Sequence, residues 1–401
     1  MDILLLSTAD WDHPFWTNKQ HVAVALAKAG HRVVYLESLG LRQPTLARQD
    51  RGRLIKRLRR FFISPRLVTP RLWVVSPLVL PGIRSRFLTL INRFLLSLTL
   101  LYVYLRLGFN CDVLWTYSPA TTSYLNPRRF KHSLYHCVDD IGAQPKMPTL
   151  ALDRLEFRTA ANVEHVVVTT VALQKKLQGL CSSLHLMPNV VDYEHFAEPS
   201  KASLQHAKKL MQDIPKPIIG FVGAISSYKI DFNLLADVAD ARPDCSFVMI
   251  GAIGEGDSDT DVSELQLRNN IFFLGPQSYQ NIPACMAFFD VAIIPSRLNT
   301  YTEAMFPMKF FEYFAAGLPV VAVPIPSLSP YRQLLFLCDG SDAFIRGLDD
   351  ALASLVDSQA RIRRKALAGE NTYVKRTNSM LLLLNTCNDI SIAKVVSILD
   401  D

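Results

Sequence analysis

The stretch Phe306-Pro307-Met308-Lys309-Phe310-Phe311-Glu312-Tyr313-Phe314-Ala315-Ala316-Gly317-Leu318-Pro319-Val320-Val321-Ala322-Val323 decides the fold. It reads as a helix start, one short helix, a stop and a buried strand. Pro307 suits the first helical position, where a missing N–H costs nothing. Gly317 suits the left-handed residue that ends a helix, and Pro319 forbids continuation. Val320–Val323 has the β-branched character of a strand covered on both faces. The chemistry gathers at the helix start, whose free N–H groups and positive dipole end attract phosphate. Lys309 adds a full charge there. Glu312 shares its face three residues on and could accept hydrogen bonds from both hydroxyls of a ribose. The pair describes a nucleoside-diphosphate site; it also fits an ordinary ion pair on a surface helix.

The same alternation extends in both directions. Strands are predicted at Ile218–Val222, Ser246–Ile250, Ile271–Leu274 and Val291–Ile294, with helices starting near Phe232, Asn281, Pro307 and Asp342. Upstream, strand Ile3–Leu6, a polar and aromatic loop, helix Asn18–Ala29 and strand His31–Leu36 form a β-α-β unit, which implies a parallel sheet. Val113–Thr116, Ser133–Cys137 and His165–Thr169 read as further strands, and a helix lies around Leu150–Ala161. The prolines between 196 and 217 mark a composition break, read as the connection between two domains. The expectation is α/β, two Rossmann-like doubly wound domains facing a cleft: residues 1–205, residues 215–370, and a helical segment 371–401.

The 401 residues carry a net charge of +7, unevenly placed. Residues 41–110 hold fourteen Arg and Lys against one acid, Asp50, so the rest of the chain is net acidic. Within that segment, Arg53–Ile63 interleaves cations with large apolar side chains, the composition of a helix on an anionic membrane surface. No nucleic-acid recognition motif accompanies the charge, so nucleic acid is not the expected partner. The apolar run Phe87–Phe109 is interrupted by Asn92, Arg93 and Arg106 and reads as a core or membrane-docked helix, not a span. The first residues read as a strand, not a signal peptide. Seven dispersed cysteines without C-x-x-C spacing indicate neither a disulfide framework nor a zinc site, in keeping with a reducing cytoplasm.

Gly220–Asp231, Phe247–Gly251, Asn270–Gly275, Phe289–Pro295 and Pro307–Val323, in that order and spacing, resemble the donor-sugar domain of GT-B glycosyltransferases. The likeness is to the bacterial group that builds teichuronic acid, capsules and other exopolysaccharides. It implies a hexosyl-type transferase using a nucleoside-diphosphate sugar, expected to be a UDP-sugar, as co-substrate without metal or other cofactor. By the resemblance, Lys309 contacts the diphosphate and Glu312 the ribose, with Met308 beside them. Gly223 lets the backbone approach the donor, Gly275 precedes the wall around the base, and Ser296 opens the loop beside the sugar. Many retaining members carry two glutamates with seven residues between them; here Ala304 stands in that register and Glu303 is one residue off.

The alternative is an inverting enzyme with a carboxylate base in the first domain, as in xanthan glucuronosyltransferase, whose Tyr-x-x-x-Asp pattern aligns with Tyr135–Asp139. Asp139 is the leading candidate base, with Asp140 and His13 behind it. Both aspartates could instead cap the turn before Gly142. Trp11 and Trp16, in the loop after the first strand, are candidate acceptor contacts; they could equally pack beneath the sheet edge. Lys229 is a candidate second cation for the diphosphate. Asp257-Ser258-Asp259 contains D-x-D but lacks the glycine of a calcium loop, so no metal is expected. The implied partners are a nucleotide sugar, a lipid-linked saccharide acceptor and an anionic membrane surface. The implied location is cytoplasmic, peripheral on the inner face of the plasma membrane. A nucleotide-sugar epimerase and a non-catalytic, membrane-associated subunit of a polysaccharide assembly complex fit the same residues.

Overall fold

A computed structural model describes the chain except for residues 14–15, 40–64, 80–85, 256, 258 and 399–401; side chains at 86 and 386–398 are likewise outside the description. The chain forms two compact units, Met1–Met187 with Tyr373–Asp401, and Pro188–Thr372. The boundary is a correction to the one expected near 205–215. Ser200 is a helix cap, accepting from the Ser203 N–H, and the helix it starts, Lys201–Met211, is tied into the second unit through Ser203 Oγ, which donates to the Gln280 carbonyl at 3.1 Å. The last segment is not separate either: helix Tyr373–Ile398 belongs to the first unit.

The first unit holds an eight-stranded sheet, order β3-β4-β2-β1-β5-β6-β7-β8. Its strands are β1 Asp2–Leu6, β2 Arg32–Leu36, β3 Arg66–Thr69, β4 Leu72–Val75, β5 Val113–Thr116, β6 His132–Cys137, β7 His165–Val168 and β8 Leu184–Leu186. All neighbours run parallel except β3, which pairs antiparallel with β4. The chain order reverses between β1 and β5, the place where open α/β sheets bind ligands. Helix Arg86–Leu107 covers one face, placing Leu96 and Val103 in a core with Leu4, Leu6, Val34 and Leu114. Its other side is a stripe of exposed apolar groups: Phe87, Leu90, Phe94, Leu98, Leu101 and Leu105 are each between 45% and 72% exposed. The inward-facing residues accord with the expected core helix, and the opposite side is left exposed. By length and composition the helix could also cross a membrane. The interleaved basic run Arg53–Ile63 lies outside the described residues.

The second unit holds a six-stranded parallel sheet, order β11-β10-β9-β12-β13-β14, with β9 Ile218–Val222, β10 Ser246–Ile250, β11 Ile271–Phe273, β12 Val291–Ile294, β13 Val320–Ala322 and β14 Phe336–Leu337. Here the order reverses between β9 and β12. The opening stretch behaves as its residues dictate: helix Lys309–Ala316 ends at Gly317 with φ +83°, and β13 follows fully buried. The helix begins at Lys309, two residues beyond the expected Pro307, with Met308 as its cap.

Candidate functional site

Helix Lys309–Ala316 is amphipathic, and its apolar face fixes where its charged residues lie. Phe310, Phe311 and Phe314 pack with one another and against Phe306 and Tyr331. Tyr313 Oη receives the Val222 N–H at 3.0 Å, pinning the helix to the carboxyl end of β9. The next residue is Gly223, with φ +143°, a backbone state that side chains disfavour. A Cβ there would lie 2.1 Å from Lys309 Cε and 2.4 Å from Nζ. The Lys309 ammonium therefore lies directly against the Gly223 backbone, 5.4 Å from the Phe221 ring centroid. Glycine is required because the lysine occupies the side-chain volume.

Glu312 lies one turn along, half-buried like Lys309. Burial pushes its carboxyl up to about 7, and attraction to Lys309 restrains the rise only in part. Burial lowers the Lys309 ammonium; Glu312 raises it and Lys229 lowers it further. Among the described residues the Glu312 carboxylate has no hydrogen-bond partner. An ordinary surface ion pair would be solvated and unshifted. Here a cation and a carboxylate sit half-buried at a sheet's switch point, with the carboxylate's acceptor capacity unused.

The surrounding loops converge on the same end of the sheet. Residues 223–231 are held on one side by Ser226 Oγ, which donates to the Glu255 carbonyl at 2.6 Å, and by the Ile225 N–H to Ala252 O. On the other side Ser296 bridges Ile230, and the Arg297 N–H donates to Lys229 O at 2.9 Å. Lys229 places its ammonium over Tyr228 and Tyr301, 5.2 and 6.0 Å from their centroids. The Gly275 carbonyl receives the Gly251 N–H, so the turn after β11 is tied to the turn after β10. The structure thus gathers Gly223, Lys229, Ser296, Met308, Lys309 and Glu312 around the ends of β9 and β12, with Gly275 at the adjoining strand end. Glu303 is exposed at the end of the short helix Thr300–Glu303, and Ala304 is buried. Asp257 accepts from Ser227 Oγ at 2.5 Å and Thr260 Oγ1 at 3.2 Å, so its carboxylate closes its own loop.

In the first unit the candidates separate. Asp139 follows β6, half-buried, close enough to Lys19 to raise that lysine's proton affinity against burial. Asp140, the second candidate base, follows directly, and its Oδ1 accepts from Lys176 Nζ at 2.8 Å. Lys176 also bridges Asp153 at 2.8 Å and Glu156 at 2.9 Å. These three carboxylates lie close enough to hold a metal ion, but the ammonium already fills that place. Burial lowers Lys176, and the three acids more than reverse it. Trp11, a candidate acceptor contact, is 7% exposed: its ring packs on Trp16 at 5.3 Å and Tyr35 at 5.1 Å, the packing beneath the sheet edge that the sequence also allowed, and its backbone N–H donates to Glu37 Oε1 at 2.9 Å. Trp16 is half-buried against Trp11 and, at 5.3 Å, His21. His13 lies half-buried in the same loop, its N–H closing a turn onto Asp10 O. Sequence reasoning missed Lys19, His136 and Arg376, polar groups buried around the end of the same sheet.

The profile of the family described as "Glycosyl transferases group 1" matches residues 216–355. The TuaH protein of Bacillus subtilis (strain 168), provisionally named a teichuronic acid biosynthesis glycosyltransferase, is 30% identical over 200 residues, 49% of each chain. The 2-deoxystreptamine glucosyltransferase of Streptomyces kanamyceticus is 28% identical over 186 residues, 44% of this chain and 46% of its own. The matches thus span about half the length of these relatives. Among solved structures, Anabaena Alr3699/HepE in complex with UDP and glucose aligns over 95% of this chain and 98% of its own, with TM-score 0.64 at 16% identity. WaaG, a glycosyltransferase involved in lipopolysaccharide biosynthesis, aligns over 94% and 98%, with TM-score 0.60 at 13% identity. The fold is GT-B, and the match to the group 1 glycosyltransferase profile falls within the second unit.

Proposed function

We propose that this chain transfers a sugar from a UDP-sugar to a lipid-linked saccharide during synthesis of a bacterial cell-surface polysaccharide. The observation that carries the reading is the Gly223–Lys309–Glu312 arrangement at the β9/β12 switch. The ammonium and helix start take the diphosphate, whose negative charge grows as it leaves, and Glu312 takes the ribose hydroxyls. A protein of the same fold has been solved with UDP and glucose, which supports the uridine nucleotide. The acceptor hydroxyl attacks the anomeric carbon, the bond to the diphosphate breaks, and Asp139 receives the hydroxyl proton, an inverting displacement.

The binding experiment is calorimetric titration of UDP and GDP into wild type and Glu312→Ala. UDP should bind, and the substitution should weaken it by about 1–3 kcal/mol. No nucleotide binding to wild type would refute the donor reading and favour the assembly-subunit alternative. The shifted carboxyl adds a pH signature. Ribose hydroxyls favour the ionised form, so UDP binding should release a proton and tighten about tenfold between pH 6 and pH 8. The change should flatten in Glu312→Gln, which also subtracts the titration of UDP itself. An unaltered pH slope in that variant would remove Glu312 from the site.

The exposed stripe of helix Arg86–Leu107 and the positive charge concentrated in residues 41–110 support peripheral attachment to an anionic bilayer on its cytoplasmic face. In vesicle flotation with phosphatidylglycerol the wild type should rise with the lipid. Phe94→Asp with Leu98→Asp should stay behind while binding UDP normally. Equal flotation of the two proteins would exclude the stripe as the docking face.

A further inference from the structure

At the carboxyl end of the first sheet, the β1/β5 reversal holds a cluster that neither the base assignment nor the fold explains. Lys19 stands at the start of the eleven-residue helix Asn18–Lys28, only 9% exposed. Its ammonium lies 5.8 Å from the Tyr117 ring centroid. Among the described residues it makes no hydrogen bond and no ion pair within 4 Å. Arg376, 6% exposed, reaches the same helix start through Nη2, which donates to Asn18 Oδ1 at 2.5 Å, and lies over Tyr373. Below them His136, fully buried in β6, meets Tyr117 Oη through Nδ1 at 3.1 Å, while Nε2 has no hydrogen-bond partner among the described residues.

A buried ammonium without a close partner is costly, because protein interiors stabilise charge only through pairing or hydrogen bonds. Burial lowers Lys19 and the half-buried Asp139 opposes this only in part. Burial, Arg376 and Lys19 together hold His136 well below its ordinary range, so the ring is neutral and adds no charge of its own. The site has two buried cations, of which Lys19 has no close partner, and behind them His136 Nε2, also without one; the helix start itself is closed by the Thr17–Gln20 capping pair. An anion would neutralise Lys19 and, in the tautomer with Nε2 protonated, accept from His136.

We propose that Lys19 and Arg376 form a binding site for an oxyanion, the phosphate or carboxylate group of the acceptor. Its assignment to the acceptor rests on the transferase reading above; the anion site itself does not. An anion held by Lys19 would bring the acceptor beside Asp139, the proposed base, so substrate recognition and proton removal would share one sheet end.

The test titrates inorganic phosphate, and in parallel glucuronate, into the full chain saturated with UDP, so that Lys309 is already occupied. One anion should bind at a single site in wild type. Binding should weaken at least tenfold in Lys19→Met and return in Lys19→Arg, with UDP affinity unchanged in both. Tighter phosphate would identify a phosphoester on the acceptor, and tighter glucuronate a uronic acid. Arg376→Met should show a similar loss; because Arg376 also anchors the last helix, its melting curve is recorded alongside, and Lys19→Met decides the matter alone if that variant does not fold. Absence of binding by either anion, or isotherms identical in wild type and Lys19→Met, overturns the proposal. Failure of wild type to bind UDP would instead overturn the transferase reading while the phosphate isotherm still judges the anion site.

Discussion

Asp139→Asn should lower kcat by about 10²–10⁴-fold while leaving UDP affinity unchanged, the range expected when a positioned general base is lost. The substitution keeps the side chain's shape and its place after β6 and removes only the ability to take a proton. Asp140→Asn provides the contrast. Asp140 lies next in sequence, yet its carboxylate is held by Lys176, which also binds Asp153 and Glu156. Its loss should weaken the fold and leave turnover per folded molecule near wild type. Single-turnover rates with saturating UDP-sugar separate the two. If Asp139→Asn turns over within threefold of wild type, the base lies elsewhere and the inverting assignment falls.

How legible these features are follows from the range of the interactions that make them. Strands β9, β10 and β12 appear at their expected bounds because each is a short apolar run between polar or glycine-rich turns. The Lys309–Glu312 face is equally local: two residues three apart on one helix, with a glycine turn that its own sequence suggests. The hairpin of β3 and β4 was hidden because its turn, Pro70-Arg71, has no glycine although Arg71 takes φ 67°, and because its arginines resemble the basic segment around them. The expected linker failed for a different reason. Pro199-Ser200 looks like a break in composition, but a serine at that point caps a helix as readily as it loosens a chain.

The oxyanion site was invisible to sequence for the most physical of reasons. Asn18 and Arg376 touch across 358 residues, and no periodicity or spacing reports a contact of that length. Trp11 illustrates a choice that sequence left open. An aromatic residue in a polar loop suggests a sugar platform, yet the ring has Trp16 and Tyr35 to pack on, and the Trp11 backbone N–H is bonded to the Glu37 carboxylate, so the residue is buried. Neither its type nor its loop position could distinguish the two fates; only the neighbours supplied by β2 do.

The largest effect on donor binding should come from the residue with no side chain. Lys309→Ala removes the charge-assisted contact proposed for the diphosphate and should cost about 3 kcal/mol, roughly two orders of magnitude in Kd for UDP. Gly223→Val should lose as much or more. Its Cβ would fall 2.1 Å from Lys309 Cε, and the helix cannot retreat because Tyr313 is bonded to the end of β9 and the phenylalanines behind it are packed. The lysine must therefore leave its position over the turn, and the branched side chain must also adopt a backbone conformation it disfavours. A double-mutant cycle distinguishes this account from a general loss of structure. If Gly223→Val acts by displacing Lys309, then UDP should bind the double variant little worse than Lys309→Ala alone, because the ammonium can be lost only once. Fully additive losses, with melting temperatures unchanged, would mean that the glycine serves the donor through its own backbone and that Lys309 is an independent contact.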